Sequence, residues 1–324
     1  MSNIGAALVG VGHCVPERVV TNRDIADHLG VEEEWLTSRT GTRQRHVSGP
    51  EERLEALAAA AAGDALKDAG IDAAEVDLVL VGTTSAEEMS PHAAPLVAAD
   101  IGAKGAGAMD ISAACTGFLA SLTMAAGLVE AGRAVTVVVI GADALYRYLD
   151  KDDRGTAMLF GDGAGAVVLT AVEGSSQVGP AAHHSDGDGR GLINLDRGER
   201  LIRMDGPTVY RYAVASMADV TREALGDAGL SVDDIDLYFY HQANARIIDA
   251  VGKRLHLPPE RVVNVIGDFA NTSAASLPIA LSVARQQGRL RDGDRVLLSA
   301  FGAGMVWGAV VATWGRPDQT SGSA

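Results

Sequence analysis

Nearly unbroken apolar runs alternate with Ala-rich stretches of helical period along most of this chain. The pattern predicts a helix over 55–70 that ends in a glycine, an acidic turn, and an apolar strand over 76–81. The same signals return as a helix over 214–229 and a strand over 235–240. A further helix follows each time, over 117–131 and 274–287, and after it another apolar strand, over 135–140 and 295–300. Runs at 166–169 and 308–314 read as the last strand of each half. Strands apolar at consecutive positions belong in a sheet covered on both faces, so the chain falls in the α/β class.

The recurrence is also literal. A shift of 159 residues lays LKDAGIDAAEVDL (66–78) over LGDAGLSVDDIDL (225–237), and a shift of 161 lays AVTVVVIGA (134–142) over RVLLSAFGA (295–303). A period near half the chain length is a duplicated fold, because solenoid repeats are much shorter. Two sheets sharing inner helices give a layered α/β/α/β/α sandwich, with halves at 1–172 and 173–324. Residues 181–206 break the pattern with histidines, aspartates and glycines, and read either as a cap over a site or as a surface loop. The polar tail 318–324 is expected to be disordered.

Composition removes several function classes. Lysine and arginine number 27 against 42 aspartates and glutamates, a net charge of −15 over 324 residues, and aromatics make up 4%. Nucleic-acid binding needs clustered cations and stacking surfaces, so none is expected. The apolar runs at 135–140 and 296–300 fall far short of the roughly 20 residues of a spanning helix, and MSNIGAALVG has no basic leader region, so neither membrane insertion nor export is expected. Two cysteines without CxxC spacing offer no disulfide framework and no metal site. A reducing cytoplasm is the expected compartment.

Three residues carry chemistry on local grounds. Cys115 lies in DISAACTGFLASL, where small residues lead into an apolar helix whose positive end would lower its thiol pKa. A buried structural cysteine is the competing reading. His241 ends a buried strand, where α/β folds place ligands, although a lone histidine is commonly structural. Asn271, in FANTSAASLP, precedes an apolar helix and could equally be an N-cap. The glycine-dense segments LFGDGAGAVVL (159–169) and AFGAGMVWG (300–308) lack a Walker lysine, and read better as close backbone packing or as N–H donors to an oxyanion than as phosphate loops.

Together, SAACTGF, LFGDGAGAVVL, HQANARI, NTSAAS and FGAGMVWG resemble, in order and spacing, the β-ketoacyl-acyl-carrier-protein synthase III family of the thiolase superfamily, as does EEWLTSRTGTRQRHV (33–47). The similarity runs from about residue 5 to 314. It implies a thiolase-like duplicated five-layer sandwich, a homodimer, and a catalytic set of Cys115, His241 and Asn271 without metal or bound cofactor. Cys115 would take an acyl group from acyl-CoA, with the oxyanion held by the backbone N–H groups of Cys115 and Ala303. Malonyl-acyl carrier protein, supplied in trans, would then lose carbon dioxide while His241 and Asn271 hold the enolate, giving a 3-ketoacyl-carrier protein that starts a fatty-acid or polyketide chain. The resemblance also assigns Trp35, Arg39 and Arg154 to CoA and Arg246 to carrier-protein docking, where a surface arginine is the plain alternative for Arg39 and Arg246.

Some positions depart from the family. Ala270 precedes Asn271 where glycine is usual, and Ala303 stands in a loop usually written GGG; both are small enough to preserve the backbone donors. Pro207 replaces a common asparagine beside the pantetheine arm. Ser90 stands where many acetyl-specific members carry a large aromatic that enters the partner's pocket, which leaves room for a primer larger than acetyl. Two other readings stay open: an acyltransferase that passes the acyl group of Cys115 to a hydroxyl, amine or carrier without condensation, and an inactive partner subunit. Thiolase proper is disfavoured because 300–308 holds no second cysteine.

Overall fold

The computed structural model describes residues 4–317, so the tail predicted to be disordered lies outside the described residues. Ten strands form two five-stranded sheets. The first holds β1 (Ile4–Cys14), β2 (Leu78–Gly82), β3 (Gly107–Ile111), β4 (Thr136–Ala144) and β5 (Asp162–Glu173) in the order β1-β5-β4-β2-β3. The second holds β6 (Val178–Ser185), β7 (Leu237–Tyr240), β8 (Val262–Val263), β9 (Arg295–Gly302) and β10 (Val306–Thr313) in the order β6-β10-β9-β7-β8. Adding five to each label of the first order gives the second. Strand directions repeat as well: β4-β2-β3 and β9-β7-β8 are parallel, and the remaining pairs antiparallel.

The residues that recur in the sequence are those that make the joints. Leu66 and Leu225 are buried in the last turns of the helices Leu54–Ala69 and Gly206–Asp227. Gly70 and Gly229 follow at φ 65° and 67°, left-handed values that glycine adopts without strain. Asp77 donates its N–H to Thr136 O at 2.9 Å and accepts the Val135 and Thr136 amides on its carboxylate. Asp236 does the same with Arg295, at 2.8 Å in both directions. Each aspartate thus pins the start of the next parallel strand to its own.

Both faces of both sheets are covered, as the apolar runs require. Along β4, Val137 and Val139 face a middle layer made by helices Gly117–Glu130 and Ser276–Gln286, while Val138 and Ile140 face the outer helices Leu54–Ala69 and Ala93–Asp100. The middle layer is shared with Phe239, Leu298 and Val310 of the second sheet. Helices Gly206–Asp227 and Ala245–Leu255 cover that sheet's outer face against Tyr238, Tyr240 and Leu297. The five-layer sandwich is therefore realised, and each fully buried Val, Leu or Ile adds about 1.5–3 kcal/mol to it.

The structure corrects the reading of 181–206. Its first residues belong to β6, an edge strand paired only with β10, in which Val178 and Ala182 alone are buried. An edge strand needs no continuous apolar run, so its pattern was too thin to see. The rest forms a short helical turn, Gly187–Gly191, and a two-stranded hairpin, Ile193–Leu195 with Ile202–Met204, rather than an unstructured loop. The following helix starts at Gly206, with Asp205 capping Thr208 N and Pro207 in the first turn, where a proline costs no hydrogen bond. Among the described residues, no helix is long and apolar enough to cross a membrane.

Candidate active site

Cys115 lies in the short turn Ala114–Thr116, between β3 and the helix that starts at Gly117. This turn packs under the end of β9. A side chain at Gly302 would place its Cβ 2.8 Å from Cys115 N, so only glycine lets β9 come this close. Ser273 Oγ donates to Cys115 Sγ at 3.4 Å. Burial pushes the thiol up to about 11, and the Asp143 carboxylate adds to the rise. Enclosing the sulfur thus costs the thiolate more than the Ser273 hydrogen bond and its own backbone N–H return.

His241 follows β7 and donates its backbone N–H to Ser299 O at 2.8 Å, which continues the sheet register by one residue. It is buried, and burial lowers the imidazole to about 4, so the ring is neutral at physiological pH. Nδ1 meets Ser276 Oγ at 2.6 Å, and the same oxygen accepts the Gln242 amide at 3.4 Å. Ser276 thus engages Nδ1 and leaves Nε2 as the ring nitrogen free to meet a substrate; with the ring proton on Nε2, His241 presents an N–H donor.

Asn271 is held by the first half of the chain. Its N–H donates to Leu159 O and its carbonyl accepts from Gly161 N–H, both at 3.0 Å, so the glycine-dense segment acts as a backbone strap across the two halves. The side-chain Oδ1 accepts from Ser273 N–H at 2.8 Å, which leaves the Nδ2 hydrogens as donors. Asn271 is therefore more than a cap for the helix after it. Ala270 sits at φ 58° and ψ −159°, a conformation that suits glycine. The backbone keeps that geometry despite the methyl group.

The three candidates thus converge on one segment, 271–276: Ser273 contacts both Cys115 and Asn271, and Ser276 holds His241. Ala303 follows Gly302 in the turn between β9 and β10, beside the Cys115 turn. The sequence reading missed Ser273, Ser276 and Asp143. Asp143 did leave a signal, a lone charge in the fully buried strand β4, whereas serines in NTSAAS look like capping residues.

Four of the expected binding residues, Trp35, Arg39, Arg154 and Arg246, lie on neighbouring elements. Trp35 lies on helix Glu33–Thr40 with the Arg39 guanidinium 4.3 Å from its ring centre. Asn244, which caps helix Ala245–Leu255, donates to Arg39 O at 3.0 Å and so brings exposed Arg246 to the same side. Arg154 donates to Leu29 O at 3.0 Å, at the end of helix Asn22–Leu29, which packs against helix Glu33–Thr40. Ser90 is exposed on the segment between β2 and helix Ala93–Asp100. Among the described residues, no cluster of histidine, cysteine, aspartate or glutamate is arranged to hold a metal ion.

Comparison with known proteins gives the family. Residues 109–187 match the family 3-oxoacyl-[acyl-carrier-protein (ACP)] synthase III, and residues 225–314 match its C-terminal counterpart. The chain is 44% identical over 320 residues to the β-ketoacyl-[acyl-carrier-protein] synthase III of Paracoccus denitrificans, covering 95% of this chain and 99% of that one. It is also 44% identical to β-ketoacyl-[acyl-carrier-protein] synthase III 2 of Streptomyces coelicolor, covering 96% and 94%. The crystal structure of the priming β-ketosynthase from the R1128 polyketide biosynthetic pathway superposes with a TM-score of 0.92 at 36% identity, covering 97% of each chain. The resemblance carried by the motifs is thereby borne out, and the chain belongs to the β-ketoacyl-acyl-carrier-protein synthase III family of acyl-transferring enzymes.

Proposed function

We propose that this chain transfers an acyl group from acyl-CoA to Cys115 and condenses it, with loss of carbon dioxide, onto malonyl-acyl carrier protein. The observation that carries this reading is the convergence on 271–276. The neutral His241 ring and the Asn271 amide are oriented by the segment whose Ser273 touches the Cys115 sulfur, and in this reading His241 Nε2 and Asn271 Nδ2 serve as N–H donors. Neutral donors suit decarboxylation: a cation would bind the malonyl carboxylate in the ground state as well as the enolate that follows.

Burial holds the free Cys115 thiol above its ordinary value, so it enters the reaction protonated at pH 7. Attack on the thioester therefore forms the S–C bond as the thiol proton is released, and that proton ends on the departing CoA thiol. The N–H groups of Cys115 and Ala303 hold the oxyanion. After CoA leaves, malonyl-carrier protein docks at Arg246, its thioester carbonyl takes the His241 and Asn271 donors, and carbon dioxide departs. The carbanion attacks the acyl-cysteine carbonyl, Cys115 leaves and is reprotonated, and a 3-ketoacyl-carrier protein results. Trp35, Arg39 and Arg154 would hold the nucleotide of CoA, with the arginines offsetting a chain of charge −15 that otherwise repels it.

The small side chain at Ser90 supports a primer larger than acetyl, acting on the pocket of a second copy in a homodimer, since each extra buried methylene contributes about 0.8 kcal/mol. The likeness to a priming ketosynthase supports a role at the start of a polyketide or fatty-acid chain. Carbon dioxide release from labelled malonyl-carrier protein tests the assignment. His241→Ala or Asn271→Ala should cut release at least about a hundredfold, as for loss of one oxyanion donor, yet still acquire an acyl group on Cys115. Variants that release normally, or that no longer acylate, contradict it.

A further inference from the structure

Asp143 is a completely buried carboxylate in a strand whose other residues, Thr136 apart, are apolar. Its Oδ1 accepts from Ser85 Oγ at 2.7 Å, Thr84 N–H at 2.9 Å, Thr83 Oγ1 at 3.1 Å and Thr84 Oγ1 at 3.2 Å. Its Oδ2 accepts from Ala274 N–H at 3.2 Å, in the turn that follows Asn271. Ser85 Oγ also accepts the Ala144 amide at 2.8 Å, which closes the cluster back onto β4. Among the described residues no cation pairs with Asp143; burial raises its carboxyl, and the backbone and hydroxyl donors return only part of that cost. A carboxylate held in this way keeps its field for its neighbours.

Two neighbours receive it. One is the stretch Thr83–Ser85, from which the chain runs on to Ser90. The other is the Cys115 site: Ser273, whose Oγ touches the sulfur at 3.4 Å, directly precedes Ala274, whose N–H Asp143 Oδ2 accepts at 3.2 Å, and the Asp143 carboxylate adds to the rise of the thiol while His241 is neutral.

We infer that Asp143 is the positioning residue of this site: it ties the Thr83–Ser90 segment to the segment 271–276 and sets a fixed negative charge against the sulfur of Cys115. The inference rests on Cys115 being the acyl carrier. In the free enzyme the charge adds to burial in keeping the sulfur a thiol, which ordinary alkylating and oxidising agents attack slowly. Bound acyl-CoA, whose oxyanion donors and leaving group drive the reaction, is not held back in the same way.

The test is the pH dependence of Cys115 alkylation by iodoacetamide in the full chain, read by peptide mass spectrometry, with Cys14 as internal reference. Asp143→Asn removes the charge and should move the Cys115 inflection down by at least about half a unit, making alkylation at pH 7 about threefold faster or more, while acyl turnover falls. Ser85→Ala loosens the tether but keeps the carboxylate. It should leave the inflection at or above the wild-type position while broadening the range of acyl-CoAs that load Cys115. An inflection unmoved by Asp143→Asn overturns the inference, as does an equal fall in Ser85→Ala, which would assign the effect to loosening. If Asp143→Asn does not fold, Ser85→Ala decides alone: a lowered inflection or an unchanged range of primers overturns the inference. Alkylation requires no condensation, so a chain that never condenses would contradict the proposed function and leave this outcome readable.

Discussion

His241 stays neutral because burial strips the imidazolium of water and no carboxylate compensates. That has a consequence for stability. The folded-state value of about 4 lies below the ordinary 6.5, so as pH falls through 6.5 the unfolded chain binds a proton that the folded one refuses. Stability is lost between about 6.5 and 4 and levels off below. Urea unfolding should show that His241→Gln loses about 2 kcal/mol less than wild type between pH 7 and 4.5. Equal losses would mean that the ring is solvated or paired. The same burial explains what could be read at this scale. Cys115, His241 and Asn271 stood out by residue type within recognisable motifs, but the thiol's shift depends on what encloses it, and neither β9 nor Asp143 is near Cys115 in sequence. Ser273 and Ser276 were unreadable for a related reason: their roles come from which side chains face them across the two halves, and serine at a helix start already has a local explanation.

Among the elements, the central strands of each sheet were legible and the edge strands were not, β1 included although its Ala6, Leu8 and Val11 are buried. β4 and β9 announced themselves because nearly every residue is apolar. β3, β6 and β8 did not, since an edge or a two-residue strand leaves little pattern. The bend at Ala270 shows a conformational cost that sequence alone could not reveal. With φ at 58° and ψ at −159°, the methyl group is held where glycine would rest freely. Ala270→Gly should stabilise the fold by about 1 kcal/mol, after allowing for the greater freedom of glycine in the unfolded chain. A higher urea midpoint with unchanged cooperativity is the expected result, and a lower one would mean that the methyl's packing outweighs the strain.

At the scale of the molecule, the duplication was the most legible feature, because the joints that repeat the topology are made by residues that repeat in sequence, Asp77 with Asp236 and Gly70 with Gly229. Edge strand β3 leaves Met109 44% exposed, and Met124 on the adjoining middle helix is exposed to the same degree. Apolar side chains of this size at a sheet edge fit the proposed homodimer. Met109→Lys should shift the mass measured by light scattering from that of a dimer toward that of one chain; a wild type that is already a single chain would remove the partner from the primer pocket.

The account stands on Cys115 carrying the acyl group that malonyl-carrier protein then removes. Intact-protein mass spectrometry of wild type and Cys115→Ala, after incubation with a panel of acyl-CoAs and then with malonyl-carrier protein, measures this directly. An adduct is expected on the wild type alone, heaviest for primers longer than acetyl, and discharged as a 3-ketoacyl-carrier protein. An adduct that persists in the presence of malonyl-carrier protein, or one that survives Cys115→Ala, would contradict it.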